Sequence, residues 1–154
     1  MIAVIGVTVT LATLTFGGDG SRAMQRQAER LGGLIRLARD EAVITGQPVG
    51  LDLYAEGYRF LQRAPREADS PWQSLDTDRV FGEQRVPAHM RLRFNTGNDD
   101  ASAASGAGSA DAIIWPTGRV TPFEVTFDGQ RRGSVRGWRL QVSANGKMDI
   151  QRTD

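Results

Sequence analysis

Four arginines, Arg131, Arg132, Arg136 and Arg139, fall within nine positions with no acid among them. Guanidinium groups at that density can contact phosphate or an acidic partner. The plainer reading is a solvated loop leading into a strand, and it is the one favoured here. Trp138 lies inside the group, but the alternation Trp138, Leu140, Val142 marks it as a core residue rather than a base-stacking platform.

Other chemistry-bearing residues are sparse. The chain has no cysteine and one histidine, His89. Disulfides, thiolate metal sites, Cys nucleophiles and sites needing two imidazoles are thereby excluded. His89 stands in VPAHMRLRF, just before an expected strand, as a surface or edge residue. Asp40 and Glu41 are neighbours on an expected helix, point in different directions and make a poor acid/base pair. Asp99, Asp100 and Asp111 sit in a segment of small residues, at a spacing foreign to an EF-hand. Gly106 and Gly108 begin a dinucleotide fingerprint that no third glycine completes, and no nucleophile elbow, zinc helix or phosphate loop is found. No catalytic residue, no cofactor and no metal is expected, and the chain is not read as an enzyme.

The elements that carry these residues are better defined. The 154 residues fit one domain with an appendage, and the net charge of +1 supplies no global pull toward nucleic acid or anionic lipid. Ile2 to Phe16 is an uncharged run, short of the roughly twenty residues that span a bilayer. It has neither the basic start nor the small-x-small end of a signal peptide. A buried core element is a second reading. The favoured one is the later part of a membrane helix that starts before Met1, so residues 1–16 are expected to be a partial transmembrane or filament helix.

Residues 17–20, Gly-Gly-Asp-Gly, predict a flexible break. Ser21 or Asp19 can cap the amphipathic helix expected over 21–46. Met24, Ala28, Leu31, Ile35, Ala38 and Ala42 recur at spacings of four and three, one apolar stripe suited to fastening the helix to a sheet. The arginine-bearing faces are read as solvated. Gly46 stops the helix and Pro48 prevents its return.

From residue 47 to 154 the pattern has period two. Val49, Leu51 and Leu53 predict a strand, Glu56-Gly57 a turn, and Tyr58, Phe60 and Leu61 its partner. Further strands are expected at Met90–Phe94, Ala112–Trp115, Phe123–Phe127, Gly137–Ser143 and Lys147–Gln151, the last two joined by Ala144-Asn145-Gly146. Residues 95–111 predict a mobile loop. The fold class is α+β, a long N-terminal helix on an antiparallel domain of two small sheets.

Three segments carry a family resemblance: IAVIGVTVTLATLTF, LGGLIRLARDEAVITGQPVGLDLYAEGYRFL, and IIWPTGRVTPFEVTF with the following GWRLQV strand and Asn-Gly hairpin. In these the chain resembles the GspH/FimT family, the minor pseudopilin H of type II secretion. The family's basic leader and cleavage-point sequence are absent before Ile2. The resemblance implies a pilin-like structural subunit near the tip of a pseudopilus that supports protein export. It implies a single-pass anchor in the inner membrane and a periplasmic β-rich domain. Implied partners are the other major and minor pseudopilins and the membrane itself, with nucleic acid unexpected. Helix–helix assembly would fall to Ile2, Val4, Ile5, Val7, Leu11 and Leu14. The alternative is a type IV minor pilin of the FimT branch, contacting DNA through Arg131, Arg132, Arg136 and Arg139.

Overall fold

The computed structural model describes residues 19–63, 70–75, 78–96, 110–129 and 137–153. One helix, α1 (Asp19–Thr45), is followed by nine strands: β1 (Val49–Tyr54), β2 (Gly57–Gln62), β3 (Gln73–Ser74), β4 (Gln84–Arg85), β5 (Met90–Thr96), β6 (Ala112–Ile114), β7 (Phe123–Gly129), β8 (Gly137–Val142) and β9 (Met148–Thr153). The described helix includes Asp19 and Gly20, which are expected from the sequence to fall in the break. At the other end Gly46 takes φ of 68°, a left-handed conformation that only glycine adopts without strain. The Thr45 hydroxyl donates to the Glu41 carbonyl at 2.7 Å and helps close the last turn.

The strands form two antiparallel sheets. One runs β3-β2-β1-β6, with β4 also pairing β2, and the other runs β5-β7-β8-β9. In the β1–β2 hairpin Tyr54 pairs with Gly57, so the turn is Ala55-Glu56, one residue earlier than expected. Gly57 is instead a close-approach site. A Cβ there would lie 2.2 Å from the Gln84 carbonyl, where β4 pairs with β2. Asn95 and Thr96 continue β5 and Asp111 is held against β1, so the expected loop 95–111 is shorter at both ends, with 97–109 outside the described residues. Trp115 lies beyond the end of β6 and opens a turn.

The helix lies across β7 and β8 and also touches β1, β6 and β9, so it packs on both sheets. Met24, Ala28, Leu31, Ile35, Ala38 and Ala42 all join one core with Leu51, Phe60, Val125, Phe127 and Leu140. Three of the six helix residues are alanines, and Gly32 meets Met148, Ile150 and Leu140 at ordinary contact distance. Small residues let the helix backbone settle close to the sheet, while Leu31 and Ile35 supply most of the apolar area, about 1.5–3 kcal/mol each. Strand alternation does the rest: Met90 and Leu92 are buried while Arg91 and Arg93 point out, each ion-paired, to Glu56 and Asp128.

Tyr58 is fully buried, edge-on to Phe60 with ring centroids 6.3 Å apart, and its hydroxyl has no hydrogen-bond partner among the described residues. Burial pushes its pKa from 10.0 up to about 12, against a smaller opposing pull from Arg30. A folded pKa above the unfolded one favours the protonated fold, so this stability is complete below pH 10 and fades as pH rises through about 12.

Two outcomes follow, both read by chemical denaturation. Ile35→Ala lowers the unfolding free energy by about 2–5 kcal/mol, whereas Ile44→Ala changes it by less than about 0.5 kcal/mol. Tyr58→Phe loses nothing at neutral pH, because it removes an unsatisfied buried hydroxyl, and it shrinks the alkaline loss of stability between pH 10 and 12.

Candidate functional site

The described residues offer surfaces rather than an active-site pocket. A shallow cleft of about 210 Å³, lined by Arg93, Phe94, Asn95, Glu124, Thr126 and Arg139, is below the usual few hundred Å³ of a ligand site. Arg139 Nε lies 3.3 Å from Glu124 across β7 and β8, and Arg93 is held by Asp128, so both arginines lining the cleft are already paired. Among the described residues no group of three metal-ligating side chains occurs. Asp111, the one acid of the expected loop that is described, accepts from the Leu53 amide at 2.7 Å and so extends the β1–β6 pairing. Burial raises its pKa, more than that hydrogen bond lowers it. His89 is exposed in the turn before β5.

The arginine group expected from the sequence is only partly visible. Arg139 is described, whereas Arg131, Arg132 and Arg136 lie outside the described residues. Ile2, Val4, Ile5, Val7, Leu11 and Leu14 also lie outside them. Trp138 packs against the core, and its Nε1 donates to Ser21 Oγ at 3.1 Å, tying the start of α1 to β8. Ser21, which lies inside α1, thus serves as a tertiary contact.

The outer face of α1 also carries large apolar side chains. Leu37 is 46% exposed, Val43 57% and Ile44 80%. Leu37 and Ile44 are seven residues apart and therefore share a face, away from the buried stripe. Gly33, one turn before Leu37, has open space where a Cβ would be. Large apolar side chains left in water on a long helix, next to a bare backbone, suit contact with another helix. The signal was present in the sequence as a second apolar spacing, on faces read as solvated.

Comparison with known proteins gives a consistent result. The family model described as type II transport protein GspH matches residues 27–146. The type II secretion system protein H of Aeromonas hydrophila is 29% identical over 137 residues, covering 82% of this chain and 74% of that protein. The minor pseudopilin EpsH of the Vibrio cholerae type 2 secretion system superposes with a TM-score of 0.67 at 21% identity, over 83% of this chain and 95% of that one. The type IV minor pilin FimU of Pseudomonas aeruginosa shares the fold more loosely, with a TM-score of 0.51 at 17% identity, over 83% and 87%.

The outer face of α1 has a direct test. Leu37→Asp with Ile44→Asp leaves the thermal midpoint within a few degrees of the parent, since neither side chain is in the core, but lowers recovery of cross-linked partner subunits from membranes.

Proposed function

This chain belongs to the GspH family of type II transport proteins, and we propose that it works by assembly, as an anchored subunit near the tip of the secretion pseudopilus. It is a minor pseudopilin of the type II secretion system. The observation that carries this is the family match, which covers most of the chain, from within α1 to the turn before β9. The family is one of structural subunits, in keeping with a fold whose side chains are committed to packing.

The proposed mechanism follows from α1. Its inner face is committed to the sheets, so the helix and the β-rich domain behave as one body. Its outer track of Leu37 and Ile44 is available to neighbours. Residues 1–16 are proposed to anchor the chain in the inner membrane, with the β-rich domain on the periplasmic side. Among the described residues no helix is long and apolar enough to cross a membrane, so the proposal rests on the uncharged run Ile2–Phe16. Leaving lipid for a helix bundle has little hydrophobic drive, and close packing with specific contacts must decide it. Ile2, Val4, Ile5, Val7, Leu11 and Leu14 are the proposed contacts there, with other major and minor pseudopilins as partners.

The type IV minor pilin alternative is not retained. The matching relatives are secretion proteins H, and the FimU likeness is the weaker one. Arg139, the described member of the arginine group, is already paired with Glu124.

An in-frame deletion is expected to stop accumulation of the secreted enzymes in the medium while leaving DNA uptake at the parental level, and the intact gene restores secretion. Normal secretion with lost uptake would reverse the assignment.

A further inference from the structure

Two turns far apart in sequence meet beside α1. In the first, Gly118 N donates to the Trp115 carbonyl at 2.9 Å and Trp115 N to the Arg119 carbonyl at 2.8 Å. In the second, the β8–β9 hairpin, Gly146 N donates to the Ser143 carbonyl at 2.8 Å and Ser143 N to the Lys147 carbonyl at 2.9 Å. Val120 N donates to the Ala144 carbonyl at 3.0 Å and joins the two. Gly118 has φ of 84° and Gly146 of 79°, and the guanidinium of Arg39 from α1 lies against both. A Cβ on Gly146 would stand 2.5 Å from Arg39 Nη1, and one on Gly118 3.3 Å from Nη2. Gly146 is buried although it sits in a hairpin turn, because Arg39 covers it.

This half-buried guanidinium has no ion pair among the described residues. Arg119 and Lys147, each one residue from a cradle glycine, are exposed and also unpaired among them. Neither 112–123 nor 137–148 contains an acid. At the head of the first turn stands Trp115, 43% exposed. A cation that has lost part of its hydration without gaining a carboxylate is stabilised by an anion brought from outside. Tryptophan and arginine are also the side chains that most often dominate protein contacts.

We propose that this junction docks an acidic segment of another subunit of the same filament, with Arg39 as the central cation, Arg119 and Lys147 at the rim and Trp115 as the apolar anchor. The proposal rests on the pseudopilin reading. The two hydrogen-bonded turns hold the surface in shape, so little ordering is needed on binding. Arg39 has a second part in this, because its planar group fills the space that the two glycines leave and a lysine would not.

The test uses the full-length tagged chain in its own cells, with cross-linked membranes probed for the other pseudopilins. R119E with K147E changes only exposed side chains, so the protein is expected at parental level and protease resistance, with recovery of the acidic partner subunit down about tenfold or more, as for like charges set face to face. R39K is expected to give a smaller loss in the same direction. Recovery of every pseudopilin at the parental level in R119E/K147E would overturn the docking surface, while the pseudopilin reading would still stand on the deletion phenotype. Normal secretion in the deletion strain would instead remove the filament reading itself.

Discussion

One helix has to satisfy two sheets. The β5-β7-β8-β9 sheet and the β3-β2-β1-β6 sheet share the buried stripe of α1 as their common core. Close approach of the helix backbone therefore decides the arrangement. Ala28, Gly32, Ala38 and Ala42 permit that approach, and Leu31 and Ile35 fill the space between the layers. Trp138 and Arg39 act near the two ends of the same interface. Trp138 fastens the beginning of α1 to β8 through Ser21, and Arg39 lays its later part on two glycine turns.

With its inner face committed, α1 can act only through what it leaves outside. On the proposed reading the protein works through surfaces: an apolar track along the helix, a sheet face of paired charges, and a cationic junction beside Trp115. The paired sheet face, with Arg93–Asp128 and Arg139–Glu124, has its charges already compensated. At the junction Arg39, Arg119 and Lys147 have no ion pair among the described residues. A structural subunit of a filament has use for distinct faces of this kind.

The sequence disclosed the helix and seven strands because each follows a local rule: spacing of four and three for α1, alternation for the longer strands, and Asn-Gly for the last hairpin. The short strands β3 and β4 escaped because two residues show no period, and they exist only as partners of β2. Gly57 was read as a turn residue, although the crowding of β4 against its backbone is what demands glycine there. Leu37 and Ile44 stand out less in the sequence because charged residues surround them and the Met24–Ala42 stripe is longer. The role of Arg39 was not legible at all, since it depends on two turns about 28 residues apart in the chain coming together. Composition alone, through the lack of cysteine and of any histidine pair, removes thiolate and two-imidazole sites from consideration. The GspH/FimT likeness was legible in the segments around the helix and the Trp115 turn, and the family match extends over both.

The two-faced helix is tested most directly by cysteine cross-linking, which the cysteine-free chain makes clean. Single cysteines at positions 37 and 44, and at 35 and 38 as controls, are introduced into the full-length chain and paired with a cysteine on the helix of a neighbouring pseudopilin in intact cells. Adducts at 37 and 44 with none at 35 and 38 are the predicted result. Adducts at the buried positions, or none at the outer ones while secretion is normal, would contradict the account.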